Sequence, residues 1–314
     1  MVDQLHPGAA TLRRSAPVAD GAGVSLLAPA AAVNPERVKR GETALRELGF
    51  LPRLSDHAFA SGPLYFAGSP QQRLDDLHAA FSDSQTAMVM SLRGGYGSNY
   101  LLDGIDWERI AQHPKPFFGY SDLTGLQLAL LDRVGLPAFH GPMAAADFSR
   151  PEGVHRESFF AAIQGRPYSV SANEGMRALK AGENPVRGVL YGGCLSILVT
   201  MLGTPWEPRT EGKLLFLEDV GAKPYQVDRM LWQLRHAGKL EGVKGIVFGE
   251  MLNCHSPGAP EDLLERAILS ALEGIEIPMA IGLRSGHVSR QNVTLTFGVE
   301  AELSLGGEPR LQVG

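Results

Sequence analysis

The segment from Phe117 to Gly125 most constrains how this chain can fold. It reads Phe-Phe-Gly-Tyr-Ser-Asp-Leu-Thr-Gly, so an apolar run stops at Gly119 and a polar turn containing Ser121 follows. Apolar residues then recur at steps of three and four, the spacing of one helix face, at Leu123, Leu126, Leu130 and Val134. The segment therefore predicts a buried strand that turns directly into a helix, with Ser121 on the turn.

A serine at a strand-to-helix turn has two interpretations. Its hydroxyl can face a cleft, where the unpaired N–H groups and the dipole of the helix start would stabilise a developing negative charge, as the reaction of a nucleophile requires. Alternatively, Ser121 or Asp122 only caps the helix, because both residue types are common N-caps. The segment is not Gly-x-Ser-x-Gly, so the hydrolase elbow motif does not apply as written. The residues alone leave both interpretations open.

Strands and helices alternate along most of the chain, which predicts the α/β class. Strands are expected at 24–27, 50–54, 87–92, 214–217 and 245–248, helices at 35–48, 71–81 and 225–237, and further extended segments at 294–297 and 301–305. Such alternation favours a parallel sheet, and ligands of parallel sheets bind at the carboxyl ends of the strands. Ser121 follows one such strand end.

A glycine-rich turn, Arg93-Gly94-Gly95-Tyr96-Gly97, follows another strand end. Its glycines permit positive φ angles and close approach of the backbone to a ligand or to another segment. The turn could hold a phosphate, form part of an oxyanion pocket, or simply be tight. It is not a P-loop, because no Gly-Lys-Ser or Gly-Lys-Thr follows.

Composition limits the classes of partner. The chain has 314 residues, 44% of them hydrophobic and 20% charged, which is long enough for two domains. A net charge of -5 disfavours nucleic acid or an anionic membrane as the main partner, and no apolar run is long enough to cross a bilayer. Its two cysteines, Cys194 and Cys254, lack disulfide or zinc-site spacing, so we expect a cytoplasmic protein without a metal or other cofactor.

Pattern and composition divide the chain into four segments. We interpret residues 1–22 as a flexible tail; Arg13-Arg14 lie in it, but Asp20 and the lack of a strong apolar block disfavour a twin-arginine export signal. Residues 23–150 are expected to form an N-terminal domain and residues 186–314 a C-terminal domain. Periodicity weakens over residues 151–185, which we interpret as a linker.

Two acidic residues and one histidine stand out in the C-terminal domain. The strand at 214–217 runs into Glu218 and Asp219, which strand alternation directs to opposite sides. Only one of them can face a given cleft, and the pattern does not say which. His287 lies in a glycine-bounded loop, although a loop histidine is usually just solvated and the chain has nine histidines in all.

Taken together, several motifs resemble one family. The chain is similar to the LD-carboxypeptidase A family, the muramoyltetrapeptide carboxypeptidases, in motifs that occur in order at 93–97, 119–122, 139–142, 202–205, 216–219, 224–231 and 286–287. The likeness covers nearly everything after the tail. One departure is Gly-Gly-Cys-Leu at 192–195, because the family usually has asparagine where this chain has Cys194. A thiol is a much weaker hydrogen-bonding group than an amide.

The resemblance implies a serine peptidase. In it Ser121 would be the nucleophile, His287 the general base and Glu218 the acid that orients the histidine, with oxyanion donors at the backbone N–H groups of Gly95 and Asp122. The implied substrate is a murein tetrapeptide, cut between the L-centre of its diamino acid and the terminal D-alanine during peptidoglycan recycling. The implied fold is a flavodoxin-like or glutaminase-like parallel-sheet domain followed by a swivelling β/α/β domain, in a homodimer.

An exopeptidase must recognise the free carboxylate of its substrate. Arg93, beside the glycine turn, could provide a two-pronged cationic contact, although an exposed structural arginine is the alternative. Cys194 is disfavoured as a nucleophile because it lies in an apolar run with nothing nearby to lower the pKa of its thiol.

Two other functions remain open from the sequence. One is a serine amidase that resembles the microcin C immunity proteins and acts on acylated nucleotides. The other is a non-catalytic α/β module whose glycine turn binds an anion while Ser121 only caps a helix.

Overall fold

The computed structural model describes residues 12–13, 16–182 and 184–314. In these ranges strands β1 to β14 are, in chain order, Gly23–Leu27, Leu51–Leu54, Met88–Ser91, Phe117–Gly119, Ala138–His140, Tyr168–Ser171, Arg177–Lys180, Val186–Cys194, Lys213–Glu218, Gly245–Gly249, Met279–Leu283, Leu295–Phe297, Glu300–Ser304 and Arg310–Val313. Helices α1 to α8 are Pro35–Glu47, Pro70–Ser82, Trp107–Gln112, Thr124–Val134, Arg156–Ile163, Leu195–Thr200, Pro224–His236 and Leu263–Ala271. Short 3-10 turns lie at Ser98–Gly104, Ser121–Leu123 and Ala172–Glu174.

These elements form two compact units. The first extends to Arg166 and also contains Arg290–Gly298, whereas the second comprises Pro167–Ser289 and Val299–Gly314. Each unit is built on its own β-sheet. The chain therefore leaves the first unit, builds most of the second, returns to the first for strand β12, and then adds β13 and β14 to the second.

The first unit contains the parallel sheet that the sequence predicts. Its strand order is β12-β5-β4-β3-β1-β2, in which β2, β1, β3, β4 and β5 run parallel and β12 joins one edge antiparallel to β5. The expected α/β class is thus confirmed. Helices connect the parallel strands, as such crossovers require.

The two phenylalanines of β4 explain why this strand reads as an unbroken apolar run. Phe117 stacks on Phe81 of α2 with ring centroids 6.3 Å apart, whereas Phe118 lies 5.4 Å from Phe159 of α5. Successive side chains of a strand point to opposite faces, so β4 is packed by helices on both sides. All four rings are fully buried.

A mixed sheet forms the core of the second unit. Its strand order is β6-β14-β13-β8-β9-β10-β11-β7; the four strands from β8 to β11 are parallel and the outer strands pair antiparallel. Helix α7 buries Val227, Leu231 and Leu234, as its spacing predicts, while Met230 is only half-buried.

Two stretches differ from what the sequence predicts. The segment 151–185, interpreted as a linker, contains α5, β6 and β7, and the boundary between the units falls inside it. Strands β6 and β7 are short and partly exposed, so their apolar pattern is weak. Strand β12, placed with the C-terminal domain, pairs with β5 of the first unit, because strand pairing over such a distance in sequence leaves no local signal.

The described part of the N-terminal segment packs on the first unit. Val18 is buried and its N–H donates to Ile163 O at 2.9 Å, and the N–H of Arg13 donates to Gly135 O at 2.7 Å. The rest of the segment interpreted as a flexible tail, residues 1–11 and 14–15, lies outside the described residues. Within the described ranges, every helix is too short or too polar to span a lipid bilayer.

Candidate active site

The turn after β4 holds Ser121 in an unusual backbone conformation. Ser121 has φ of 66°, a left-handed value that residues other than glycine seldom adopt. Holding a serine there costs on the order of 1–3 kcal/mol, so the surrounding structure must impose it. A strained strand-to-helix turn is the feature by which the hydrolase elbow presents its serine. The backbone has that feature although the sequence lacks the Gly-x-Ser-x-Gly pattern.

Neither Ser121 nor Asp122 is the N-cap of a helix here. The cap positions of the 3-10 turn and of α4 are Tyr120 and Leu123, and neither makes a side-chain capping hydrogen bond. Asp122 instead accepts a hydrogen bond on Oδ2 from the backbone N–H of Ser98 at 2.8 Å, and the Ser98 hydroxyl donates to the Asp122 carbonyl at 2.7 Å. The capping interpretation of these two residues is therefore wrong.

The glycine turn after β3 packs directly against the Ser121 turn. A Cβ added at Gly94 would lie 3.1 Å from Ser121 Cβ and 3.2 Å from Tyr120 O, so only glycine fits without displacing its neighbour. Gly95 has φ of 110° and is exposed. Arg93 is also exposed, and its Nη1 donates to Ala32 O at 3.3 Å.

A buried glutamine braces the strand ends beneath the Ser121 turn. Nε2 of Gln127, on α4, donates to Gly119 O and to Phe139 O, both at 2.9 Å. One amide thus ties the ends of β4 and β5 to the helix that follows Ser121. Gln127 was not among the predicted site residues; its one signal in the sequence is a polar residue inside the apolar run from Leu126 to Leu131.

In the second unit, Glu218 at the end of β9 holds His287. Glu218 is fully buried, and its Oε2 accepts the backbone N–H of His287 at 3.1 Å and contacts ring Nδ1 at 2.8 Å. Because the backbone N–H can only donate, Oε2 acts as an acceptor, and a proton on Nδ1 completes the second bond. The neutral ring then has its basic lone pair on Nε2, and two bonds to one oxygen fix the orientation of the ring.

Asp219, the neighbouring acid, accepts hydrogen bonds from a different segment. Its Oδ2 accepts the backbone N–H of Ser196 at 2.8 Å, so it satisfies a donor in the first turn of α6. This contact resolves the choice that strand alternation left open, since it is Glu218 that pairs with His287.

Cys194, the residue at which the chain departs from the family that it resembles, is buried at the end of β8. Burial raises the pKa of its thiol well above the usual value, and the nearby Glu218 and Asp219 raise this pKa further. A thiol kept protonated is a poor nucleophile. Neither Cys194 nor Cys254 takes part in a disulfide.

The residues singled out by the sequence fall into two sets. Arg93, Gly95, Ser121 and Asp122 belong to two adjoining turns of the first unit, and Glu218 and His287 form a hydrogen-bonded pair in the second. Across the described ranges, no group of three or more histidine, cysteine, aspartate or glutamate residues is placed to hold a metal ion.

Two domain models of one protein family match the chain. Residues 24–141 match the N-terminal domain model of LD-carboxypeptidases, and residues 187–303 match the C-terminal domain model. The chain is 37% identical to a putative carboxypeptidase of Streptomyces coelicolor over 93% of each chain. It is 36% identical to a probable murein peptide carboxypeptidase of Bacillus subtilis, over 90% of this chain and 89% of that one. It is 35% identical to a murein tetrapeptide carboxypeptidase of Pseudomonas aeruginosa, over 89% and 92%.

Solved structures show the same likeness. A muramoyltetrapeptide carboxypeptidase from Oxalobacter formigenes superimposes with a TM-score of 0.80 at 30% identity, covering 93% of this chain and 98% of that chain. A microcin C7 self immunity protein has a TM-score of 0.88 at 22% identity, covering 98% and 99%, a likeness of fold alone. With both domain models and full-length relatives matched, the chain belongs to the LD-carboxypeptidase family of serine-type hydrolases.

Proposed function

We propose that this chain is a serine LD-carboxypeptidase that removes the terminal D-alanine from murein tetrapeptides. The observation that carries the proposal is the buried Glu218 carboxylate, whose Oε2 bonds to both the backbone N–H and ring Nδ1 of His287. A pair of this kind serves as the base of serine hydrolases. The substrate class is supported by relatives named as murein peptide and murein tetrapeptide carboxypeptidases.

The first chemical step forms an acyl-enzyme. Ser121 Oγ attacks the carbonyl carbon of the scissile bond, and its proton passes to Nε2 of His287. The negative charge on the former carbonyl oxygen is stabilised by the N–H groups of Gly95 and Asp122. The C–N bond then breaks, and His287 returns the proton to the amine of the departing D-alanine.

The second step regenerates the enzyme. A water molecule attacks the ester carbonyl while Nε2 of His287 takes one of its protons, and the same N–H groups stabilise the new oxyanion. The C–O bond to Ser121 breaks, the proton returns to Oγ, and the shortened peptide leaves. Throughout both steps Glu218 keeps Nδ1 protonated and stabilises the imidazolium.

The site also has to recognise a free carboxylate, and we assign this to Arg93. Its guanidinium is exposed beside the glycine turn, and Nη1 makes a 3.3 Å hydrogen bond to Ala32 O that fixes the position of the group. A planar guanidinium binds a carboxylate with two parallel hydrogen bonds.

We also propose that the enzyme is a cytoplasmic homodimer. Two buried thiols that take part in no disulfide fit a reducing compartment. The subunit mass is 33.7 kDa. Light scattering on the purified protein should give twice this mass, and a single-subunit mass at assay concentration would contradict the dimer.

Substitution of Ser121 tests the nucleophile. Ser121→Ala should lower kcat on a murein tetrapeptide by about 10⁴-fold or more, because no other hydroxyl takes over the attack. Ser270→Ala, at an exposed serine of α8, is the matched control and should keep full activity. Folding is checked by thermal melting. Hydrolysis that persists in a folded Ser121→Ala protein would reject the proposal, and cleavage of an aminoacyl sulfamoyl adenosine in preference to the tetrapeptide would favour the amidase.

Two adjacent acids allow a paired test of the histidine's partner. Glu218→Gln should lower kcat by about 100- to 10,000-fold, because an amide cannot stabilise the imidazolium as a carboxylate does. Asp219→Asn should keep kcat within a few fold of wild type but lower the melting temperature, since the amide oxygen can still accept the Ser196 N–H while the NH2 group cannot accept the Val220 N–H. Steady-state kinetics on the tetrapeptide measures both. The reverse pattern would assign the role to Asp219.

Replacing the terminal carboxylate of the substrate by an amide tests the proposed role of Arg93 in carboxylate recognition. Wild type should strongly prefer the tetrapeptide with a free carboxylate over its carboxyl-amide analogue, and Arg93→Ala should lose most of that preference through a higher KM for the acid. Arg53→Ala, on strand β2 of the same unit, is the control. Equal discrimination in wild type and Arg93→Ala would remove Arg93 from this role.

A further inference from the structure

A buried cation lies beneath the glycine turn. Arg73, on α2, is only 1% exposed, and its Nη1 donates to Pro29 O at 3.0 Å and to Gly97 O at 2.7 Å. Its guanidinium carbon lies 5.0 Å from the centroid of the Phe66 ring. Among the described residues, Nε and Nη2 of Arg73 have no hydrogen-bond partner. A fully buried arginine is rare, and its burial destabilises the fold unless the charge is paired or hydrogen-bonded.

One of the two carbonyls that accept from Arg73 belongs to a peptide group that is held at both ends. The carbonyl of the Gly97–Ser98 peptide accepts from Arg73, and the N–H of the same peptide donates to Oδ2 of Asp122 at 2.8 Å. A buried cation and a buried carboxylate therefore hold the two ends of a single peptide plane. Each charge polarises that peptide and strengthens the hydrogen bond made at its other end.

This arrangement joins the two turns that supply the proposed oxyanion donors. Gly95 lies two residues before Gly97 on one turn, and Asp122 provides both its backbone N–H and the carboxylate that holds Ser98 on the other. A Cβ at Gly97 would lie 2.6 Å from Phe66 Cδ1 and 2.9 Å from Arg73 Nη1, so the turn sits tightly on the guanidinium. Burial lowers the pKa of Arg73, and the Asp122 charge opposes that shift.

We propose that Arg73 is a positioning residue for the oxyanion hole: through the Gly97–Ser98 peptide and Asp122 it fixes the distance between the N–H groups of Gly95 and Asp122. The inference rests on the proposed function. Arg73 reaches the reaction only through these backbone groups, so its effect belongs to the transition state and not to ground-state binding. A displacement of catalytic groups by about 1 Å can lower a rate by about 100-fold.

Two substitutions at Arg73 test this on the tetrapeptide. Arg73→Met removes both hydrogen bonds and the charge, and should lower kcat by about 10- to 100-fold with KM within twofold of wild type. Arg73→Lys keeps the charge and can bond to one carbonyl, so its kcat should lie between those of wild type and Arg73→Met. If Arg73→Met is not recovered folded, Arg73→Lys alone carries the test.

A second measurement separates positioning from simple structural support. A peptide boronic acid forms a tetrahedral adduct with a serine hydroxyl and places an oxygen where the oxyanion forms. The inhibition constant of the boronic acid should rise in the Arg73 variants by the same factor as kcat falls. Substrate affinity is measured in the inactive Ser121→Ala protein, and its dissociation constant for the intact tetrapeptide should not change when an Arg73 substitution is added.

Lys115→Met is the matched control for loss of a buried cation. Lys115 Nζ donates to Ala80 O, Asp83 O and Thr86 Oγ1, and Lys115 precedes β4, whereas Ser121 follows the other end of that strand. Its removal should lower the melting temperature and leave kcat and boronic acid affinity unchanged.

The outcomes separate the positioning role of Arg73 from the assignment of the chain as a peptidase. Wild-type kcat in a folded Arg73 variant, or a rise in KM at unchanged kcat, would overturn the positioning role while leaving the peptidase assignment in place. An equal fall of kcat in Lys115→Met would also overturn it, because loss of stability would then account for the effect. Failure of the peptidase assignment itself would be seen in Ser121→Ala, not in these variants.

Discussion

The contact between Gly94 and the Ser121 turn is the constraint on which the rest of the first unit depends. Strands β3 and β4 pair in parallel, with Val89 opposite Phe117 and Met90 opposite Phe118, so the carboxyl ends of both strands lie side by side. The two turns that follow can then touch through backbone only if one of them has no side chain at the point of contact. Gly94 meets that requirement, and the two turns pack directly against each other at this point.

The second unit uses the same device at its own strand ends. Gly249 of β10 lies beside Glu218 of β9, and a Cβ at Gly249 would be 2.6 Å from Glu218 Cβ. A missing side chain on the neighbouring strand thus leaves room for a buried carboxylate, which then turns toward His287. In both units a glycine on one parallel strand, or just after it, makes space for a turn or a side chain at the end of the neighbouring strand.

The local pattern of apolar and polar residues was sufficient to predict several elements of the first unit. The run Phe117–Gly119 and the leucine spacing after it predicted the strand, the turn and the helix, because each depends on residues close in sequence. Contacts across long stretches of chain were not predictable in that way. Glu218 and Asp219 look equivalent in the sequence, and only their distant partners, His287 and Ser196, distinguish them. Arg73 was missed because a charged residue in an amphipathic helix is normally taken to face water.

The positive φ at Ser121 lowers the stability of the fold at the residue that we propose as the nucleophile. Glycine or asparagine would adopt this conformation at a smaller steric cost, so laboratory evolution for heat resistance alone would tend to replace the serine. Selection for a more heat-resistant variant of this protein would therefore have to include an activity assay in every round. Its safest gains would come from surface positions remote from the two glycine-flanked strand ends.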